Sequence, residues 1–161
     1  MTDVPRLLLM CGLPGSGKTT LATRLAEELP SVRPCPDEWL ADLGVDLFDV
    51  DTRDRLERRF WLLAQDILRQ GGHVILESGF WLRSDRDEKR LGARALRAAV
   101  ELHYLDVPLD ELCRRVERRG GRNTVPLTRA QLEEYTTMFQ PPDADELALF
   151  DPPLRVARHL G

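Results

Sequence analysis

Residues Gly12-Leu13-Pro14-Gly15-Ser16-Gly17-Lys18-Thr19 fulfil the pattern G-x-x-x-x-G-K-[ST] in full. Each constrained position has a chemical reason. Glycines permit backbone dihedrals closed to other residues and let the main chain approach a ligand closely, so that successive N–H groups converge on phosphate oxygens. Lys18 is spaced to reach the β and γ phosphates of a nucleotide, and Thr19 offers its hydroxyl to Mg²⁺. A short apolar run, Arg6 to Cys11, precedes the loop, and a helical pattern passes through Thr20 and ends near Leu29-Pro30. That setting is the one the motif needs, because a helix N-terminus adds its dipole to the attraction for an anion. Gly12 to Thr20 is therefore read as a nucleotide-binding Walker A loop.

Carboxylates and arginines elsewhere could complete such a site. Glu77 ends the run His73-Val74-Ile75-Leu76, where an acid can hold Mg²⁺ through a water. Asp106, after Tyr104-Leu105, is its rival, although a carboxylate past a strand is often a cap for the next helix. Asp37 in Pro36-Asp37-Glu38-Trp39 reads from the residues as an N-cap of a short helix. Five arginines against one glutamate lie between Arg114 and Arg122 in a chain that is net acidic. On a helix Arg115 and Arg119 share a face, as do Arg114 and Arg118. One pair is expected to be solvated; guanidinium chemistry on the other suits stacking on adenine and neutralising a transferring phosphoryl group. Arg83 and Arg86, after Phe80-Trp81, are candidate substrate contacts or plain surface charge at a helix start. Trp39 and Trp81 could stack on a substrate ring, whereas Trp61 is more simply core.

The elements that position these residues follow from periodicity. Arg6 to Cys11 is continuously apolar, as a strand buried on both faces should be. Ser31 to Cys35 is a second candidate strand, with a short helix over Glu38 to Leu43 after Pro36-Asp37. Leu56, Phe60, Leu63, Ala64 and Ile67 fall three and four apart on one helix face, and Gly71 stands just past its end. His73 to Leu76 predicts a third strand, Ser84 to Ala99 a helix, and Glu101 to Leu105 a fourth strand. Pro108, Asp110 and Glu111 suit the start of a helix that ends at Arg118-Arg119-Gly120-Gly121. Thr128 with Gln131 is a capping box for a further helix, and Leu154 to Ala157 is a possible last strand. Alternation of strand and helix predicts an α/β fold with a parallel sheet covered on both faces, and no linker divides residues 1–161.

The loop, Asp37-Glu38-Trp39, Glu77-Ser78-Gly79-Phe80-Trp81 and the basic helix from Pro108 to Arg119 together resemble small P-loop kinases of the adenylate-kinase-like class. They are most similar to the ATP-binding proteins grouped with chloramphenicol phosphotransferase, zeta toxin and the kinase domain of polynucleotide kinase. The resemblance implies a five-stranded parallel sheet and an Arg-bearing lid spanning about residues 108–139. It implies that Glu77, where many relatives have Asp, is the Mg²⁺ acid in preference to Asp106. It also implies that Arg115 stacks on the base, that Arg119 clamps phosphate, and that Arg122 sits at the lid tip. Asp37 falls where this class places its acceptor-facing acid, so the resemblance makes it a catalytic base; a cap and a base are compatible roles. Arg83 and Arg86 fall where relatives contact the acceptor.

Composition bounds the rest. The chain has 161 residues, with 42% hydrophobic and 31% charged, enough apolar content for one folded domain. Its net charge of −4 argues against long nucleic acid as the principal ligand and leaves nucleotide and a small hydroxyl-bearing molecule as expected partners. The apolar run Leu7 to Cys11 is far shorter than the roughly 20 residues that span a bilayer, so a cytoplasmic protein without a membrane anchor is expected. Cys11, Cys35 and Cys113 have no paired spacing and are expected to be reduced and structural. His73, His103 and His159 lack metal-ligand spacing. The functional expectation is transfer of the γ-phosphoryl group of ATP, with Mg²⁺, to a small-molecule hydroxyl. A nucleoside, nucleotide or nucleic-acid 5′-hydroxyl is the alternative acceptor, and a nucleotide-dependent switch without an acceptor is the alternative of another class.

Overall fold

The computed structural model describes residues 4–119 and 127–154. Its centre is β1 (Arg6–Cys11), a strand with Leu7 to Cys11 fully buried. β1 lies between β2 (Val74–Gly79) and β3 (Ala99–Tyr104), both parallel to it, with Leu7 opposite Val74 on one side and Val100 on the other. Because side chains alternate along a strand, β1 feeds two layers. Leu7 and Leu9 pack with Phe60, Ala64 and Leu68 of α3 (Val50–Arg69), whereas Leu8 and Met10 pack with Ile75 and Ala22 of α1 (Lys18–Glu28). Burial of each such side chain contributes about 1.5–3 kcal/mol, which anchors the strand from whose end the phosphate loop departs.

Helix starts and stops follow local chemistry. Asp49 caps α3 by accepting from Thr52 N–H at 3.0 Å, and Gly71 adopts φ 83° just beyond its C-terminus. The short α2 (Pro36–Asp42) has Pro36 as its first residue and Cys35 at the N-cap, so Asp37 is not the cap but lies inside the first turn. After β2, α4 (Arg83–Ala95) returns the chain to β3. Then come α5 (Leu109–Arg118), α6 (Arg129–Met138) and α7 (Ala144–Leu147). At the start of α6 the Thr128/Gln131 capping box is formed as the spacing predicts.

The expected five strands are three among the described residues. Ser31 to Cys35 runs beside β2, but only Val32 pairs, through Val32 N–H to His73 O at 3.0 Å and Ile75 N–H to Val32 O at 2.9 Å. Pro34 lacks the N–H that a ladder would need next, and Pro36 opens the helix. On the opposite edge Asp151 N–H donates to Val100 O at 2.8 Å before Pro152-Pro153 ends the pairing. The possible strand Leu154 to Ala157 lies, past Leu154, outside the described residues.

Arg86 is a correction to the sequence reading. It is 1% exposed and all three guanidinium nitrogens are engaged: Nε and Nη2 on the Glu146 carboxylate at 2.7–3.0 Å, and Nη1 on Phe80 O and Trp81 O. It therefore ties α4 and α7 to the end of β2 and does not face a substrate. Arg86→Met leaves the buried Glu146 carboxylate without its partner, and a loss of about 3–5 kcal/mol in unfolding free energy is expected by urea denaturation. The double change Arg86→Met with Glu146→Leu should recover most of that loss.

Candidate active site

The phosphate loop is held from two directions. Gly12 N–H donates to Gly79 O at 3.0 Å, and the Trp81 indole N–H donates to Gly12 O at 3.2 Å, so the loop is pinned to the end of β2. A Cβ on Gly12 would lie 2.6 Å from Ser16 Oγ and 3.2 Å from Leu105 O, so a side chain there would have to displace Ser16 and crowd the Leu105 carbonyl. Gly15 and Gly17 adopt φ 84° and 96°, in the left-handed region, and Gly17 is the N-cap residue of α1. Lys18 Nζ donates to Gly12 O at 3.1 Å and Leu13 O at 3.0 Å, so its ammonium arches back over the loop. Burial brings the Lys18 ammonium down to about 8 while Asp37 and Glu77 act to raise it, an arrangement in which an incoming phosphate would meet a poorly solvated cation.

Glu77 stands beside this loop with both oxygens partnered. Oε1 accepts from the Thr19 hydroxyl at 2.9 Å, and Oε2 from Arg33 Nη1 at 2.5 Å. Arg33 Nη2 reaches Glu38 Oε1 at 2.9 Å. A threonine hydroxyl and a carboxylate in contact next to the phosphate loop are the hard oxygen donors that fit Mg²⁺, which takes few protein ligands and completes its shell with water and phosphate. Asp106 instead lines a separate cavity of about 150 Å³ with Leu13, Ser16 and Tyr104. Of the two rival acids, Glu77 is the one next to Thr19.

The main cavity, about 440 Å³, contains Pro14, Gly15, Gly17, Lys18, Thr19 and Glu77 together with Asp37, Trp81 and Arg119. Two residues absent from the sequence reading, Arg53 and Glu57, join them. Arg53 Nη2 donates to Asp37 Oδ1 at 2.5 Å and to Leu47 O at 3.3 Å, and Arg53 Nη1 is 4.0 Å from Glu57 Oε1. Burial pushes the Glu57 carboxyl up to about 7; Arg53 acts to lower it, while Asp54, Asp37 and Asp85 raise it. The signal in the sequence was the i, i+4 spacing of Arg53 and Glu57 on the helix whose apolar face was recognised. Arg33, also missed, occupies the one candidate strand that scarcely pairs.

On α5, Arg114 turns to solvent with Glu111, at 2.6 Å. Arg115 donates to Glu111 Oε1 at 3.1 Å and to Ser16 O at 3.2 Å, which sets its guanidinium against the phosphate loop. Arg119 is the residue after α5, exposed, and lines the main cavity. Arg122 lies outside the described residues. Thr20 is exposed on α1 and does not line the cavity. Arg83 is also removed from it, near Asp87 and Glu146 at 3.6 and 3.8 Å. Of the tryptophans, Trp81 lines the cavity, Trp39 meets Phe60 edge-on, and Trp61 packs against the core beneath Lys89. No described helix is long and apolar enough to cross a membrane.

Two outcomes follow. Lys18 bonds only carbonyls of its own loop, so Lys18→Ala should fold normally and bind ATP about 10- to 100-fold more weakly by calorimetry, as loss of a charge-assisted contact requires. Glu57 has its proton affinity raised on folding, so the native state holds more protons than the unfolded chain between the ordinary value of 4.5 and about 7. The stability associated with protonated Glu57 is present below that window and lost as pH rises through it. Urea denaturation should accordingly show Glu57→Gln gaining on the wild type at pH 8 relative to pH 5.

Comparison with known proteins places this geometry. The family model described as AAA domain (AAA_33) matches residues 7–142. A gluconokinase from Gluconobacter oxydans (strain 621H) is 32% identical over 129 residues, 73% of this chain and 67% of its own length. Among solved structures, a chain of the Pnkp1/Rnl/Hen1 RNA repair complex superposes with a TM-score of 0.70 at 23% identity, covering 86% of this chain; this chain spans only 45% of that one. A sugar kinase from Janibacter sp. HTCC2649 gives a TM-score of 0.64 at 23% identity, covering 89% of this chain and 82% of its own. The chain belongs to the AAA domain family and is built as a small P-loop kinase.

Proposed function

We propose that this protein is an ATP-dependent phosphotransferase that moves the γ-phosphoryl group to a hydroxyl of a small molecule. The observation that carries the reading is one cavity lined by the Thr19–Glu77 pair, Lys18 and Asp37 together. Groups suited to phosphate and a carboxylate suited to a proton face the same space. The gluconokinase relative supports a small hydroxyl-bearing acceptor.

In this reading the phosphate loop and Lys18 hold the β and γ phosphates, and Arg119 meets the charge that develops on the group in flight. Arg115, packed on the loop, flanks the base, and α5 with α6 forms the arginine-bearing lid of a single domain. Thr19 and Glu77 would hold Mg²⁺, which would supply positive charge to offset that of the phosphates. Asp37 accepts the proton of the acceptor hydroxyl as its oxygen forms the new bond to phosphorus. The bond between phosphorus and the β,γ-bridging oxygen breaks, and ADP leaves. Arg53 fixes the Asp37 carboxylate in direction, and positioning of this kind contributes much of the rate in phosphoryl transfer.

Incubation with labelled ATP, MgCl₂ and a mixture of metabolites, nucleosides and a short 5′-hydroxyl oligonucleotide, followed by mass spectrometry, tests the reading. A new phosphate ester of a small molecule is expected. An ester on the oligonucleotide alone would favour the 5′-hydroxyl alternative, and release of phosphate alone would favour a switch. With the acceptor in hand, Asp37→Asn should lower kcat by about 10²- to 10⁴-fold while ATP affinity changes little. An unchanged kcat removes Asp37 from the base role.

A further inference from the structure

The two oxygens of Glu77 meet different chemistry. Oε1 accepts from the Thr19 hydroxyl at 2.9 Å, beside the phosphate loop. Oε2 accepts from Arg33 Nη1 at 2.5 Å, and the Glu77 side chain is only 2% exposed, so water does not stand in for that guanidinium. Arg33 is itself held from two sides. Its Nη2 donates to Glu38 Oε1 at 2.9 Å. The residue before it is tied to the start of β2 by Val32 N–H to His73 O at 3.0 Å and Ile75 N–H to Val32 O at 2.9 Å. A single bridge is too little for a strand, yet it sets the point beside β2 from which the Arg33 side chain departs. A planar guanidinium offers its N–H groups in fixed directions, so the end on Glu38 sets the direction of the end on Glu77.

We infer that Arg33 is a positioning residue that selects the metal: by occupying Oε2 it leaves Glu77 one oxygen for a divalent cation, which favours Mg²⁺ over Ca²⁺. This role deepens the proposed nucleotide site and rests on the reading of Thr19 and Glu77 as its metal donors. Mg²⁺ is small, demands a near-octahedral shell and keeps several waters, so one carboxylate oxygen and one hydroxyl beside the phosphates suit it. Ca²⁺ takes about six to eight oxygens and commonly both oxygens of one carboxylate. At Glu77 the second oxygen is reached only by breaking a buried ion pair, at a cost in desolvated charge that one more oxygen does not offset. The positive charge of Arg33 repels both cations alike, so the ratio of the two affinities, and not either one alone, reports the blocked oxygen.

Calorimetric titration of the full chain with AMPPNP, at concentrations of MgCl₂ or CaCl₂ that saturate the nucleotide, gives one dissociation constant for each metal. The wild type should bind the Mg²⁺ complex at least about fivefold more tightly than the Ca²⁺ complex. Arg33→Met should narrow that ratio at least about threefold, and Arg33→Lys, whose ammonium can hold a single carboxylate oxygen, should restore most of it. A role confined to folding would move both constants together and leave the ratio as it was. Equal or tighter binding of the Ca²⁺ complex by the wild type overturns the inference, and so does an unchanged ratio in folded Arg33→Met. If Arg33→Met does not fold, Glu38→Ala takes its place, because it frees one end of Arg33 at a half-exposed carboxylate while Glu77 stays paired. The ratio should then narrow by a smaller factor, and no narrowing again counts against Arg33. AMPPNP binding that ignores metal altogether removes Thr19 and Glu77 from the metal role and the inference with them. Metal-dependent binding with an unchanged ratio removes Arg33 alone, and phosphoryl transfer is judged separately by the ester formed from labelled ATP.

Discussion

A carboxylate at the end of a buried strand has to be partnered on both oxygens, and at Glu77 those partners come from two different parts of the chain. Thr19 arrives on the first turn of α1 and Arg33 on the segment that runs beside β2. Arg33 in turn holds Glu38, and the next residue toward the N-terminus, Asp37, holds Arg53. Adjacent residues of the seven-residue α2 are thus tied to different elements, Glu38 through Arg33 to β2 and Asp37 to α3. Isolated helices this short are unstable in water. The orientation of α2, and with it the position of Asp37 in the cavity, depends on the ion pairs that begin at Glu77.

The apolar layers make this possible by fixing β1 and β2 rigidly. Neither strand can slide without moving Leu7, Leu9, Val74 and Leu76 out of one layer and Leu8, Met10 and Ile75 out of the other. The loop then hangs from a fixed point: Gly12 is bonded to Gly79, Trp81 to Gly12, and Arg86 beneath them holds the carbonyls of Phe80 and Trp81 against Glu146. A buried ion pair of this type is weak evidence for net stability, because desolvation offsets much of its attraction. Its geometric effect is clearer, since it keeps the turn after β2, where Phe80 adopts φ 47°, from relaxing away from the loop.

How much of this was legible in the sequence varied with the range of the interaction. The loop, α3 and the Thr128 capping box were readable because motif, period and cap act over a few residues. The strand expected over Ser31 to Cys35 was overread, since proline at 34 cuts the pairing after a single residue, and the run of residues does not reveal where a ladder stops. Arg86 was read as a substrate contact, because relatives contact the acceptor there, or as surface charge at a helix start, whereas its partner Glu146 lies sixty residues on, in a four-residue helix. Arg33, Arg53 and Glu57 were missed for the same reason. Arg33 and Arg53 matter through partners on other elements, and Glu57 through Arg53, so a sequence of exposed-looking charges does not say which of them fold back together.

Arg53 also resolves a conflict that the cavity would otherwise contain. An ammonium that must hold phosphate and a carboxylate that must take a proton attract each other across a cavity of about 440 Å³, and a direct bond between Lys18 and Asp37 would occupy both. In the structure each has another partner: Lys18 donates to the carbonyls of Gly12 and Leu13, and Asp37 accepts from Arg53. Asp37 still acts electrostatically on Lys18, so the two remain near enough for their fields to overlap. The Lys18 ammonium and the Asp37 carboxylate are thereby each held by another group and do not quench one another. In the proposed transfer a proton moves toward Asp37 while negative charge accumulates toward Lys18 and Arg119. Separation fixed in advance favours both movements without reorganisation at the moment of reaction, and that preorganisation is where an active site gains most over water.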